Sequence, residues 1–495
     1  MRTKALPFLL LILLLTVLVL AACSVPDTTT DDATDIGSEP NASEPSVSLT
    51  TTPKITTEKP LTVGNPSAIG MVSDKNSSLP VIHINTEGGA EIVSRDEYIG
   101  ATVSVSGTLD DSIFGFENRE TEVRCRGNFT YTGTEKKSYR LKFTEKVNLF
   151  GQGWGPAKSW VLLANHCDKS FLRNHLAFTA GRLLDNIDYC TSSSFVKLYV
   201  NGDYYGIYQV AEQHNINDYR VAIAEDPNEV DTDYLIERDS YAADDGVEGT
   251  TYFRINRTKY NINTDYPDST LARDKCEFLR RYFEATHEAI KGGSEAEVTR
   301  YIDLDSFIDT FILQALVKNT DVGYSSFFMV KKAGGKIYFT CPWDFDLSLG
   351  NDERLDNGQV ETLYIGEKTE MSQQHEWFYL LMNEDWFCDK LLARWNEVKE
   401  DLRNAMLYEI DRFLVAFEDD IATNFEVWNV LGRKINQEPR TLLKFKTYRE
   451  NVTHLRGWFL ERYTYIDTLF NSEELYNQGG YESSGGWWEG GGWWN

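Results

Sequence analysis

The sequence is short of positive charge: 49 Lys and Arg stand against 76 Asp and Glu, a formal net charge of −27 over 495 residues. That balance repels nucleic-acid phosphates and no local basic patch offsets it, so nucleic acid is excluded as a partner. The phosphate-loop pattern G-x-x-x-x-G-K-S/T, H-E-x-x-H, G-x-S-x-G and the EF-hand spacing are all absent. Phosphate-loop ATPases, zinc proteases and ordinary hydrolases lose support accordingly. None of the seven cysteines forms a C-x-x-C pair, which argues against structural zinc. No internal repeat points to a solenoid or propeller. What remains is 41% hydrophobic and 25% charged, a soluble globular balance that excludes wholesale disorder in a chain too long for one ordinary domain.

Residues 1–23 stand apart. Arg2 and Lys4 precede an almost unbroken apolar run from Ala5 to Ala22, and Leu20-Ala21-Ala22-Cys23 looks like a bacterial lipoprotein processing site with Cys23 as the lipid-bearing residue. A plain signal peptide or a single spanning helix is the alternative. Residues 24–66 are Thr, Ser, Asp, Glu and Pro, too polar to offset their own ordering entropy, and read as a disordered tether. The six cysteines besides Cys23 allow up to three disulfides or a set of buried thiols.

The body, 67–470, divides by its periodicity. From 67 to 269 strands dominate: 79–85 and 101–106 alternate apolar and polar residues, and 195–212 reads as a hairpin turning at Asn201-Gly202. Residues 170–184 read as a helix with Ser170 as N-cap. From 270 to 470 the period turns helical over 271–291, 295–318, 371–383, 386–424 and 438–468, with one β segment at 325–349. This is an α+β pattern, a strand-rich first half and a helical second half that suggests two lobes with a cleft. Residues 471–495, rich in Gly and Trp, read as a disordered tail.

Two groups of residues invite chemistry. In 341-CPWDFDL-347 an extended segment sets Asp344 and Asp346 on one side, a pair suited to a hard divalent ion carrying phosphate oxygens, or alternatively to turn capping or ion pairing. Asp321 follows a buried helix 23 residues earlier, the base-then-metal order of phosphoryl-transfer sites. In 124-RCRGNFTYTGTEKKSYRLKF-143, Arg140 and Lys142 share a strand face that either holds a polyphosphate or is simply solvated. Gly151 to Gly155 followed by Pro156 reads as a surface turn.

That stretch, with 149-LFG-151, 160-WVLLANHCDKSFLRNHLAF-178, 196-VKLYVNGDYYGIYQVAEQ-213, 319-NTDVGYSS-326 and 341-CPWDFDLSLGN-351, resembles the spore-coat-protein-H (CotH) kinase family in order and content. The resemblance implies an atypical, two-lobed protein-kinase-like fold that holds ATP with Mg²⁺ or Mn²⁺ and transfers the γ-phosphoryl group to Ser or Thr of a protein. It makes Asp321 the catalytic residue, Asp344 the metal ligand and Asp346 a second carboxylate. Arg126, Lys137 and Lys142 fall to the phosphates, and Glu212 would orient a lysine. Ser326 stands where relatives carry a metal-binding Asn, a weaker ligand. The combined expectation is an exported kinase of surface or spore-coat proteins, anchored to the outer face of the bacterial membrane through Cys23. The alternative is a catalytically inactive kinase-like surface protein that binds a partner through its aromatic surface and Trp-rich tail.

Overall fold

A computed structural model describes residues 79–107, 115–149, 155–262, 270–354, 356–366 and 376–480. The signal, the tether, most of the Gly151 to Gly155 turn and the tail past Gly480 lie outside the described residues.

Seven strands close into a barrel: β1 (Val81–Thr86), β2 (Ile99–Ser106), β3 (Phe116–Arg126), β4 (Ser138–Val147), β5 (Ala157–Leu163), β6 (Ser193–Val200) and β7 (Asp203–Glu212). Their order is β1-β2-β3-β4-β5-β7-β6, antiparallel throughout except that β1 meets β6 in parallel, with Val81 opposite Lys197. Alternation drives it. Ile82, Ile84, Val103, Val123, Leu141, Trp160, Leu198 and Tyr208 fill the interior, each apolar side chain contributing about 1.5–3 kcal/mol relative to exposure. The β6–β7 hairpin turns where expected, with Asn201 at φ 51° and Gly202 at φ 90°, the left-handed pair of a tight two-residue turn. Helix α1 (Phe129–Thr132) links β3 to β4, and α2 (Arg173–Leu183) links β5 to β6. The N-cap of α2 is Leu172, not Ser170, and the N–H of the first helical residue, Arg173, is met by Asp168 Oδ2 at 2.9 Å, a carboxylate that also draws the Arg173 guanidinium.

A second sheet runs β12-β11-β8-β10-β9, from β8 (Tyr234–Arg238), β9 (Tyr252–Ile255), β10 (Thr258–Ile262), β11 (Phe327–Lys331) and β12 (Ile337–Thr340). It corrects the expected β interruption at 325–349: strand structure stops at Thr340, and the pair joins strands from the first half of the chain. Helices supply the rest: α3 (Ala242–Asp245), α4 (Thr270–Lys291), α5 (Glu295–Tyr301), α6 (Leu304–Val317), α7 (Glu376–Leu381), α8 (Asp385–Ala416), α9 (Glu418–Val427) and α10 (Tyr448–Phe470). The expected helix 295–318 breaks because Asp303 accepts the Ser306 N–H at 2.9 Å and restarts the chain as α6. The expected helix 386–424 breaks at Phe417, which ends α8 and begins α9. Helical and sheet side chains share one core that also takes the outer face of the barrel through Val161, Phe195, Ile207 and Ala211.

Lys136 joins the barrel to α9. It is wholly buried and donates to Ala164 O at 2.8 Å, to Asn424 Oδ1 at 2.9 Å and to Ile207 O. Burial pushes its pKa well down, while three acceptors, one for each ammonium proton, oppose the loss of a proton. Past α10 the chain continues in a 3₁₀ helix, Glu473–Gly480, anchored by buried Leu475, so order extends ten residues beyond the boundary that composition suggests. Cys125, Cys167, Cys190, Cys276, Cys341 and Cys388 are all buried free thiols. Among the described residues no helix is long and apolar enough to cross a membrane.

Candidate functional site

Helix α6 carries Asp321 to its place. Lys318 caps the helix in the left-handed region at φ 46°, its N–H on the Ala315 and Gln314 carbonyls, and its ammonium holds Asp356 and the Gln359 carbonyl. Three residues on, the Asp321 N–H donates to Asn319 Oδ1 at 3.1 Å, and Arg354 Nη2 donates to Asp321 Oδ1 at 3.0 Å. Burial raises the Asp321 pKa, Arg354 opposes that rise, and the charge of Asp344 adds to it.

The second carboxylate pair follows β12, and its backbone differs from the expected extended segment. Cys341 at φ 49° and Asp344 at φ 66° are both left-handed, which bends the chain twice. The Cys341 N–H is held by Tyr189 O at 2.9 Å and the Phe345 N–H by Asn174 Oδ1 at 2.8 Å. The bend exposes Asp344 while Phe345 is buried, and leaves Asp346 partly buried beside Asp344. Burial, then the Asp344 charge, push the Asp346 carboxyl well above the usual range, with Asp321 and Asp168 adding to the effect. Asp321, Asp344 and Asp346 thus sense one another electrostatically.

Opposite them lies a basic wall on the outer face of the barrel. Arg126, at the end of β3, sets its guanidinium 5.6 Å over the Trp343 ring; burial lowers its pKa and the Asp344 charge counters. Arg140 of β4 and Arg220 lie near His214, whose ring is 4.1 Å from Phe328 and 5.1 Å from Trp343. Arg140 Nε, Arg220 Nε and Nη2, and His214 Nδ1 are buried without a hydrogen-bond partner. Glu212 already answers the charge of Arg220, so the unsatisfied donor that calls for an anion is Arg140 Nε.

Of the residues singled out in the sequence, Asp321, Asp344, Asp346 and Arg126 come together. Lys142 lies half-exposed on the barrel, 3.2 Å from Glu122, and Lys137 donates to the Tyr131 and Thr134 carbonyls of its own loop. Glu212 faces Arg220 at 3.8 Å and accepts from the Ser192 N–H at 3.1 Å, so its cationic partner is an arginine. Ser326 sits at φ 58° with its N–H on Glu237 Oε1 at 3.0 Å. Burial, then Asp239 and Asp344, raise Glu237 to about 8. Sequence reasoning passed over Glu237, His214, Arg220 and Arg354. No local motif marks them, although Arg140 was visible as a neighbour of Lys142.

Asp344 and Asp346 suit a magnesium nucleotide, since Mg²⁺ is commonly held by one or two carboxylates together with phosphate oxygens and water. The orphaned Arg140 Nε suits a phosphate. Among the described residues no group of three or more His, Cys, Asp and Glu side chains is arranged to enclose a metal ion.

Two buried histidines, His214 at the site and His166 beside Trp428, give the fold a pH signature. Burial and adjacent cations depress His214 to about 3 and His166 to about 4. An unfolded histidine titrates near ~6.5, so below that pH the unfolded chain binds more protons than the fold. The stability these neutral rings provide is complete above ~6.5 and is lost as the pH falls towards their folded values. The raised carboxyls of Glu237 and Asp346 act with the opposite sign, so the histidine contribution is read as a difference: between about pH 7 and 4 the melting temperature of wild type is expected to fall relative to that of His214→Gln. An unchanged slope in that variant would contradict a neutral, buried His214.

A family model described as CotH kinase protein matches residues 123–466. No curated protein matches the chain.

Proposed function

Because this chain belongs to the CotH kinase family, we propose that it is an exported, membrane-anchored protein kinase of atypical two-lobed build, transferring the γ-phosphoryl group of ATP to Ser or Thr of surface or spore-coat proteins. The observation that carries this reading is the meeting of Asp321, Asp344 and Asp346 with Arg126, whose guanidinium feels the Asp344 charge, beside Arg140, whose Nε is buried without a hydrogen-bond partner. The apolar run ending in Leu20-Ala21-Ala22-Cys23 supports export and lipid attachment at Cys23.

The mechanism divides the labour between the two sides. Arg126 and Arg140 hold the phosphate oxygens, a role better suited to them than to Lys137 and Lys142, whose ammonium groups are engaged elsewhere. Asp344 and Asp346 are the residues that would hold a divalent ion, which would supply positive charge to offset that of the phosphates. Asp321 accepts or orients the acceptor hydroxyl's proton. Trp343, Phe328 and His214 form an aromatic wall that limits water beside Arg126.

A thermal-shift titration tests the nucleotide site. Ligand at about 100 times its dissociation constant stabilises the fold by about 2.7 kcal/mol. ATP with Mg²⁺ or Mn²⁺ is expected to raise the melting temperature, with little effect from ATP alone and none from either in Asp344→Ala. No shift of the wild-type protein at millimolar ATP would favour the inactive, partner-binding alternative.

A further inference from the structure

We propose that Arg354 is a positioning residue for phosphoryl transfer: docked rigidly on the buried carboxylate of Asp352, it fixes the orientation of the Asp321 carboxylate. The inference rests on the reading of Asp321 as the group that meets the acceptor hydroxyl.

Asp352 is 2% exposed and is a dedicated platform. It accepts from the Arg354 backbone N–H at 2.8 Å, from Arg354 Nε at 3.1 and 2.9 Å and from Nη2 at 2.6 Å, and Thr320 Oγ1 donates to the same Oδ2 that takes Nη2. One edge of the guanidinium is therefore fully engaged. A planar guanidinium held along one edge has no freedom to rotate, so its next N–H bond points in a set direction. That direction is Asp321: Nη2 reaches Oδ1 at 3.0 Å, while Oδ2 has no hydrogen-bond partner among the described residues. Asp321 is also held from its backbone, its N–H on Asn319. One oxygen is thus tethered and the other left for the acceptor, on a side chain that is 31% exposed.

A purely structural Arg354 would need only its bidentate pair with Asp352. The bond to Asp321 is additional, and it joins the platform to the site. A misdirected catalytic group costs turnover rather than nucleotide affinity, which gives the inference a kinetic signature.

The experiment uses the full chain, radiolabelled ATP as donor and dephosphorylated casein as acceptor probe, comparing wild type with Arg354→Gln and Arg354→Lys. For R354Q the expected result is a fall in kcat of roughly 100-fold, with KM for ATP and the ATP–Mg²⁺ thermal shift unchanged. R354K keeps the charge without the two-pronged geometry and should fall between, which supplies a readout even if R354Q folds poorly. Wild-type kcat in both variants, or a rise in KM for ATP that matches the loss of kcat/KM, would overturn the inference and leave the proposed function standing. Absence of transfer by the wild-type protein, with casein and in autophosphorylation alike, would remove both.

Discussion

Asp321→Asn is expected to lower phosphoryl transfer by roughly 10²–10⁴-fold, the range that a positioned acid–base group supplies. The amide is nearly isosteric, and its oxygen can still accept from Arg354 Nη2, which meets Asp321 Oδ1 at 3.0 Å. The backbone bond to Asn319 does not involve the altered group. The proton-accepting capacity is what disappears. The fold and the ATP–Mg²⁺ thermal shift should therefore survive while turnover does not, a separation that steady-state transfer and melting measured on one preparation will show. Wild-type turnover in this variant would take Asp321 out of the mechanism. Loss of the thermal shift would instead make it part of nucleotide binding.

The largest effect on stability is expected at Arg462. Its side chain is fully buried in α10 and donates to Ala315 O from Nε at 3.1 Å and from Nη2 at 2.6 Å. Nη1 donates to Thr362 O at 2.6 Å and to Val360 O. Leucine in its place fills much of the volume and leaves one buried and two part-buried carbonyls without these donors, at about 1–3 kcal/mol each, so Arg462→Leu should lose about 4 kcal/mol. Arg456, also on α10, pairs with Asp411 where both side chains are more than a third exposed. Arg456→Leu should change stability by less than about 1 kcal/mol. Denaturant melts of the two variants separate the cases, and equal losses would contradict the account. Ala315 lies in the last turn of α6, so R462L should also slacken the approach to Asp321 and lower turnover below what unfolding alone explains.

Local period made much of the fold legible in the sequence. β1, β2, the β6–β7 hairpin, α4 and α10 all follow from alternation or helical spacing within one segment. What escaped was set by partners far along the chain. Nothing near 327–331 announces that this strand pairs with 234–238, and nothing near Phe417 announces a break. The site divides in the same way. Asp321, Asp344 and Asp346 were legible through family resemblance, but the left-handed backbone at Asp344 was not, because an Asp in a W-D-F-D run alternates on paper like any strand residue. Choosing among the cations required register: Lys142 falls opposite Glu122 and Arg140 opposite Arg124, so of two outward-facing neighbours on one strand one meets a carboxylate and the other a like charge. Arg354 lies just past the recognisable motif and shows its importance only when Asp352 and Asp321 are seen on either side of it.

Barrel closure also sets a timetable for synthesis. β1 cannot complete its pairing until residue 197 has been made, 116 residues after Val81. At translation rates of ~5–20 residues per second that is a wait on the order of ten seconds. During it, β1 to β5 can form only an open sheet, with β1 lacking β6 on one edge and β5 lacking β7 on the other. A nascent chain in that interval carries two sticky borders, which makes the arrival of a single hairpin, Ser193–Glu212, the event that ends its exposure to aggregation.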